Sequence, residues 1–118
     1  MGDRGNIVLK QEPYSDIFLY THWGGTDIAP LLKKALVRGH ERWSDEPYLA
    51  RIIFSEMVSD DIEGLTGYGL SPYQTDNEHP LLYVDLKQRK IHCNGNAWTY
   101  DEFVQEGDDR LRELCNDK

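Results

Sequence analysis

The stretch that most constrains this chain is residues 17–27, Ile-Phe-Leu-Tyr-Thr-His-Trp-Gly-Gly-Thr-Asp, which must pass from a strand to a helix within a few residues. Its first half is β-branched and aromatic, the composition of a strand. Gly24 and Gly25 permit a tight turn and close approach to the backbone, and Thr26 and Asp27 offer caps to a helix that starts at Ile28. A cap at Asp27 places Pro30 at the third helical position, where its missing N–H is no loss. Ile28, Leu31, Leu32, Ala35, Leu36 and Trp43 then fall on one helical face, so an amphipathic helix of more than three turns is expected, weakened at Gly39.

The flanking segments set the fold class. Residues 6–11 and 16–22 read as an antiparallel hairpin around Glu12-Pro13-Tyr14-Ser15, with the more apolar second run expected to be the more interior strand. Ser44-Asp45-Glu46-Pro47 opens a second helix, in which apolar residues at 48–58 occupy two faces. Such a helix is expected to be covered on most sides, which leaves Arg51 near buried surface and in need of a carboxylate or an anionic ligand. Residues 59–80 lack periodicity, apart from an irregular strand expected within 66–73. Three strands at 81–87, 90–93 and 97–99 form a meander, with Asn94-Gly95 as a tight turn. Thr99 and Glu102 match a capping box, Gly107 ends that helix, and Asp108 recaps a terminal helix carrying Leu111, Leu114 and Cys115. The expected fold is α+β: one domain spanning 1–118, with two central helices and a C-terminal helix packed on a mainly antiparallel sheet.

Charge and motifs narrow the function. With 21 acidic against 13 basic residues the net charge is −8, which disfavours a non-specific grip on nucleic acid phosphates. The glycines at 64, 67 and 69 have the spacing G-x-x-G-x-G, the reverse of a dinucleotide fingerprint, and Pro72 blocks the helix that fingerprint needs. His22, His40, His79 and His92 share no metal-ligand spacing. Ser55 and Ser71 lack a nucleophile elbow, and Cys93 lacks a base partner in sequence. No catalytic residue, metal or cofactor is therefore expected, and catalysis is the least favoured reading. Cys93 and Cys115 have no redox spacing and are expected to be free thiols. No apolar h-region or membrane span is legible, so the expectation is a cytoplasmic protein with no membrane partner; self-association is left open.

Four segments carry a resemblance: Tyr-Thr-His-Trp-Gly-Gly at 20–25, Tyr-Leu-Ala-Arg-Ile-Ile-Phe at 48–54, Thr-Gly-Tyr-Gly-Leu-Ser at 66–71 and Asp-Asn-Glu-His-Pro at 76–80. Together they resemble a family of small uncharacterised proteins met in bacteriophages and bacteria. The resemblance spans most of the chain and brings no activity with it. It implies a phage or mobile-element setting, inside a host bacterium, where small proteins counter host defence by binding a nucleotide signal or a defence protein.

The same segments hold the candidate site. If they converge, His22, Trp23, Gly24, Gly25, Thr26, Arg51, Tyr68, Ser71, Tyr73 and His79 line one pocket with aromatic faces, a guanidinium and helix N-terminal N–H groups, a set suited to a nucleotide. The first expectation is a non-enzymatic binder, in a sequestering role, of a small anionic nucleotide-like ligand. The second is an acidic inhibitor that binds a host defence protein, and the third is a small hydrolase.

Overall fold

A computed structural model describes residues 2–116. Strands β1 (Gly5–Lys10) and β2 (Ile17–Thr21) form the expected hairpin, and helices α1 (Ile28–Arg38) and α2 (Glu46–Met57) follow. Strand β3 (Tyr68–Ser71) is the irregular strand of the long loop. Then come the meander of β4 (Leu82–Asp85), β5 (Lys90–Cys93) and β6 (Asn96–Thr99), and helices α3 (Tyr100–Gln105) and α4 (Asp108–Asn116). The fold is α+β, with one six-stranded sheet in the order β3-β2-β1-β4-β5-β6. Every neighbouring pair is antiparallel except β1 and β4, which run parallel with Ile7 opposite Leu82.

Side-chain alternation assigns the two sheet faces. Ile7, Leu9, Leu19, Leu82, Val84 and Ile91 point to the helices and join Leu32, Leu36, Leu49, Ile53, Phe103 and Leu111 in one core. On the other face, Val8 lies in register between Phe18 and Tyr83 and is also buried. The expectation that the second strand is the more interior is corrected. β1 takes the centre because its partner β4 arrives from late in the chain, and β2 lies between β1 and the edge strand β3.

Helix ends show which local signals held. α1 stops at Arg38 instead of running to Trp43, because Gly39 ends it and a 3-10 turn at His40–Arg42 follows. Trp43 still reaches the core side and donates its indole N–H to the Leu36 carbonyl at 2.9 Å. Asp27 stands at the expected cap position but makes no cap; its carboxylate accepts from Arg112 at 2.7 Å. Asp45 does cap α2, accepting from the Tyr48 N–H. Thr99 and Glu102 form the full capping box of α3 at 3.1 and 2.8 Å. Asn94 and Gly95 both take the positive φ that a two-residue hairpin turn requires.

The two cysteines, unconnected by any sequence spacing, are brought together where α4 packs behind β5. Both are free and buried, and Cys93 lies 3.9 Å from the Cys115 carbonyl. The hydrogen bond between the two thiols, reinforced by burial, pushes the Cys93 thiol well above its ordinary value. Both thiols are expected to resist titration in the native protein and to react as two upon denaturation; finding none would overturn their reduced state. Thr99→Ala should cost about 1 kcal/mol, read as a melting point lowered by several degrees.

Candidate functional site

The junction after β2 is built as expected, but its polar groups are already engaged. The Gly24 N–H donates to the Thr21 hydroxyl at 3.0 Å and the Gly25 N–H to the Asp3 carbonyl at 2.8 Å. The Thr26 N–H donates to the Asp3 carboxylate at 2.9 Å, and the Asp27 N–H to the Gly24 carbonyl at 3.0 Å. The anion at this helix start is therefore the chain's own Asp3, which also pairs with His79. Burial opposes ionisation of Asp3, but the hydrogen bonds from His79 and Thr26 outweigh it and hold the carboxyl below its ordinary value of 3.8.

The aromatic side chains around the junction are also structural. His22 ties the N-terminal segment to the loop before β3: its N–H donates to Gly67 at 2.8 Å, its carbonyl accepts from Asp3 at 2.7 Å, and its ring meets the Tyr20 hydroxyl at 2.9 Å. Trp23 stacks edge-on against His22 and Tyr68 and covers Gly67, whose φ of 97° and lack of Cβ admit the indole. Ser71 donates to the Tyr73 carbonyl at the end of β3, and the Tyr73 ring is exposed. His79 sits in the connection to β4, where Asn6, from the centre of the sheet, donates to Asp76 and Asn77.

A groove of about 690 Å³ opens instead between α2 and the β2–β3 side of the sheet. Ile17, Leu19, Phe54, Val58, Tyr68 and Leu70 line it, and Asp61, Ile62, Gly64 and Thr66 border it. Ile62, on that border, is 76% exposed, and Leu70 on the β3 side is 58% exposed. The groove exists because β3 is short and forms the sheet edge, beyond the reach of α2. A concave, mainly apolar groove with a few polar groups at its margin is the general form of a small-molecule site.

The groove shares Arg51 and Ser55 with a second, polar cleft of about 420 Å³, lined also by Arg38, Arg42, Tyr48 and Ile52. The Arg42 guanidinium lies 5.3 Å over the Tyr48 ring. Arg38 is committed, since it bonds Glu56 at 3.0 Å and the Ser55 hydroxyl at 2.7 Å. Glu56 is the buried charge of α2, paired also with Lys34 at 3.5 Å. The expectation of a helix covered on most sides, with Arg51 half-buried, is thus corrected. Arg51 is exposed, and among the described residues neither it nor Arg42 has a carboxylate partner.

Of the ten residues expected at the site, Arg51 and Tyr68 line this groove, and the others are held as described above. Arg42, Tyr48, Phe54, Val58 and Asp61 were not singled out by the sequence. A signal for the arginines existed: residues 28–57 hold five basic and four acidic residues, a local excess of positive charge in a chain of net charge −8. No family model, curated protein or solved structure matches the chain.

Two outcomes test this assignment of roles. Asp3→Ala should destabilise the protein by about 1 kcal/mol at neutral pH, as loss of a capping carboxylate does. The folded-state pKa of Asp3 lies below the unfolded one, so its contribution is full above pH 3.8 and fades as pH falls further, and the gap between variant and parent should narrow in acid urea titrations. Arg51→Met should change stability by no more than about 0.5 kcal/mol, as exposed substitutions do, whereas Glu56→Leu should cost more because Arg38 and Lys34 lose their shared partner.

Proposed function

We propose that the protein is a non-enzymatic binder of a small anionic ligand of the nucleotide class, with its site on α2 rather than at the β2–α1 junction. One observation carries the reading: Arg51, without a carboxylate partner, stands where an apolar groove meets an arginine-lined cleft. An exposed guanidinium beside a second one and an aromatic ring suits a phosphate, which arginine meets in a two-pronged hydrogen bond. The adjoining groove offers Phe54 and Tyr68 to the flat, weakly polar body of a base. Positive charge gathered locally on an acidic protein also favours capture of a small anion over a long polyanion, which the remaining surface would repel. The sequence resemblance adds support for the finer form of this proposal, a sequestering factor that removes a nucleotide signal in a phage or mobile-element setting.

A second reading, a protein-binding inhibitor, is favoured by the exposed Ile62 and Leu70 that line the same groove. Ligand titration separates the two. A nucleotide at a hundredfold excess over its dissociation constant stabilises the native state by about 2.7 kcal/mol, a melting shift of roughly 10 °C. Arg51→Ala and Arg42→Ala should each weaken binding at least tenfold without lowering the melting point of the free protein. Trp23→Ala should leave the affinity nearly unchanged, and the ligand should be recovered chemically intact. If mono-, di- and cyclic nucleotides at millimolar concentration produce no shift, the nucleotide reading fails and the protein-inhibitor reading takes its place.

A further inference from the structure

The groove contains one more charged side chain, at the end away from the arginines. Asp61 belongs to the turn that follows α2, fixed by its N–H to the Val58 carbonyl at 2.9 Å and by the Gly64 N–H to its own carbonyl at 3.2 Å. Its carboxylate folds over Gly64, which has no Cβ to obstruct it, and borders the groove. Among the described residues no donor bonds this carboxylate. The other acceptor near the groove centre, the Ser55 hydroxyl, already donates to the Ile52 carbonyl and accepts from Arg38. The groove thus presents one unpaired cation and one unpaired anion, separated by an apolar floor.

We infer that Asp61 is the specificity-determining residue of the proposed nucleotide site and selects a guanine base. The inference rests on the nucleotide reading above. Arg51 precedes the last residue of α2 by six positions, about 9 Å along the helix, and the turn to Asp61 begins just beyond. Both side chains line the one groove of about 690 Å³, which has room for a nucleoside monophosphate laid from one to the other. With the phosphate on Arg51 and Arg42 and the base over Phe54, the far edge of the base meets Asp61. An ionised carboxylate only accepts hydrogen bonds, and it accepts two side by side. Guanine presents two parallel donors, N1–H and the 2-amino group. Adenine sets its N1 lone pair against one carboxylate oxygen, and uracil flanks its single N–H with two carbonyls, so both leave a repulsive contact. A site made to hydrogen-bond one edge rejects a base that leaves its polar group unpaired.

The test is calorimetric titration of the full chain with GMP, IMP, AMP and pyrophosphate, for the parent, Asp61→Asn and Arg51→Ala. GMP should bind at least tenfold more tightly than AMP, and IMP, which lacks the 2-amino group, should fall between them. Asp61→Asn offers one donor and one acceptor, so it should weaken GMP at least tenfold and bring AMP level with it or ahead, while pyrophosphate binding stays unchanged. Asp61 is exposed and unpaired, so this variant should keep the parent melting point. Equal affinity for GMP and AMP, lost in Arg51→Ala, would overturn the role of Asp61 and leave the nucleotide reading standing. Absence of binding by every ligand in the parent protein would overturn both.

Discussion

The fold depends on one ladder, the parallel pairing of β1 with β4. It joins the β3-β2-β1 half of the sheet to the β4-β5-β6 meander, and it brings Ile7 opposite Leu82 across most of the chain length. Parallel neighbours need a long crossover, and here that crossover holds β2, α1, α2 and β3. Burying Ile7, Val8 and Leu9 on both sides of β1 requires the helices on one face and the aromatic residues of neighbouring strands on the other. Closing such a distant contact costs chain entropy that only the finished core offsets, so the ladder and the core form together.

That topology also decides which surfaces are closed and which stay open. The long connection from β3 to β4 is pinned by Asn6 and by the exchange of hydrogen bonds between Arg4 and Glu78. Asp3 is carried to the start of α1 by the same N-terminal segment, and it closes the only set of helix N–H groups that the sequence made attractive for an anion. The edge strand β3, by contrast, lies beyond α2 and leaves the groove open. The proposed site therefore lies at an uncovered edge of the sheet, while the polar groups of the junction are engaged within the framework.

Charge follows the same division. Glu56 is buried on α2 and takes Arg38 and Lys34 as partners, which holds α1 against α2. With Arg38 committed to Glu56, Arg42 and Arg51 are the cations left facing the groove and cleft. Arg42 stays beside Arg51 because Tyr48 supports its guanidinium from below. An arginine held over an aromatic ring keeps its donors turned outward, a ready arrangement for phosphate.

The sequence by itself determined the α+β class, the first hairpin, the starts of α2 and α3, the meander and the turn at Asn94-Gly95. All of these are local: a capping oxygen, a glycine with positive φ or an alternating apolar run acts within a few residues, so its effect can be read in place. The sequence also isolated Arg51, for a reason that did not hold, since burial of α2 depends on where the sheet ends. Only the tertiary structure decided that β1 is central, that Asp3 occupies the helix start, that Cys93 meets Cys115, and that Glu56 rather than Arg51 is the buried charge. Each of these joins groups distant in sequence, and their meeting is fixed by strand order and shared burial, which no short pattern encodes.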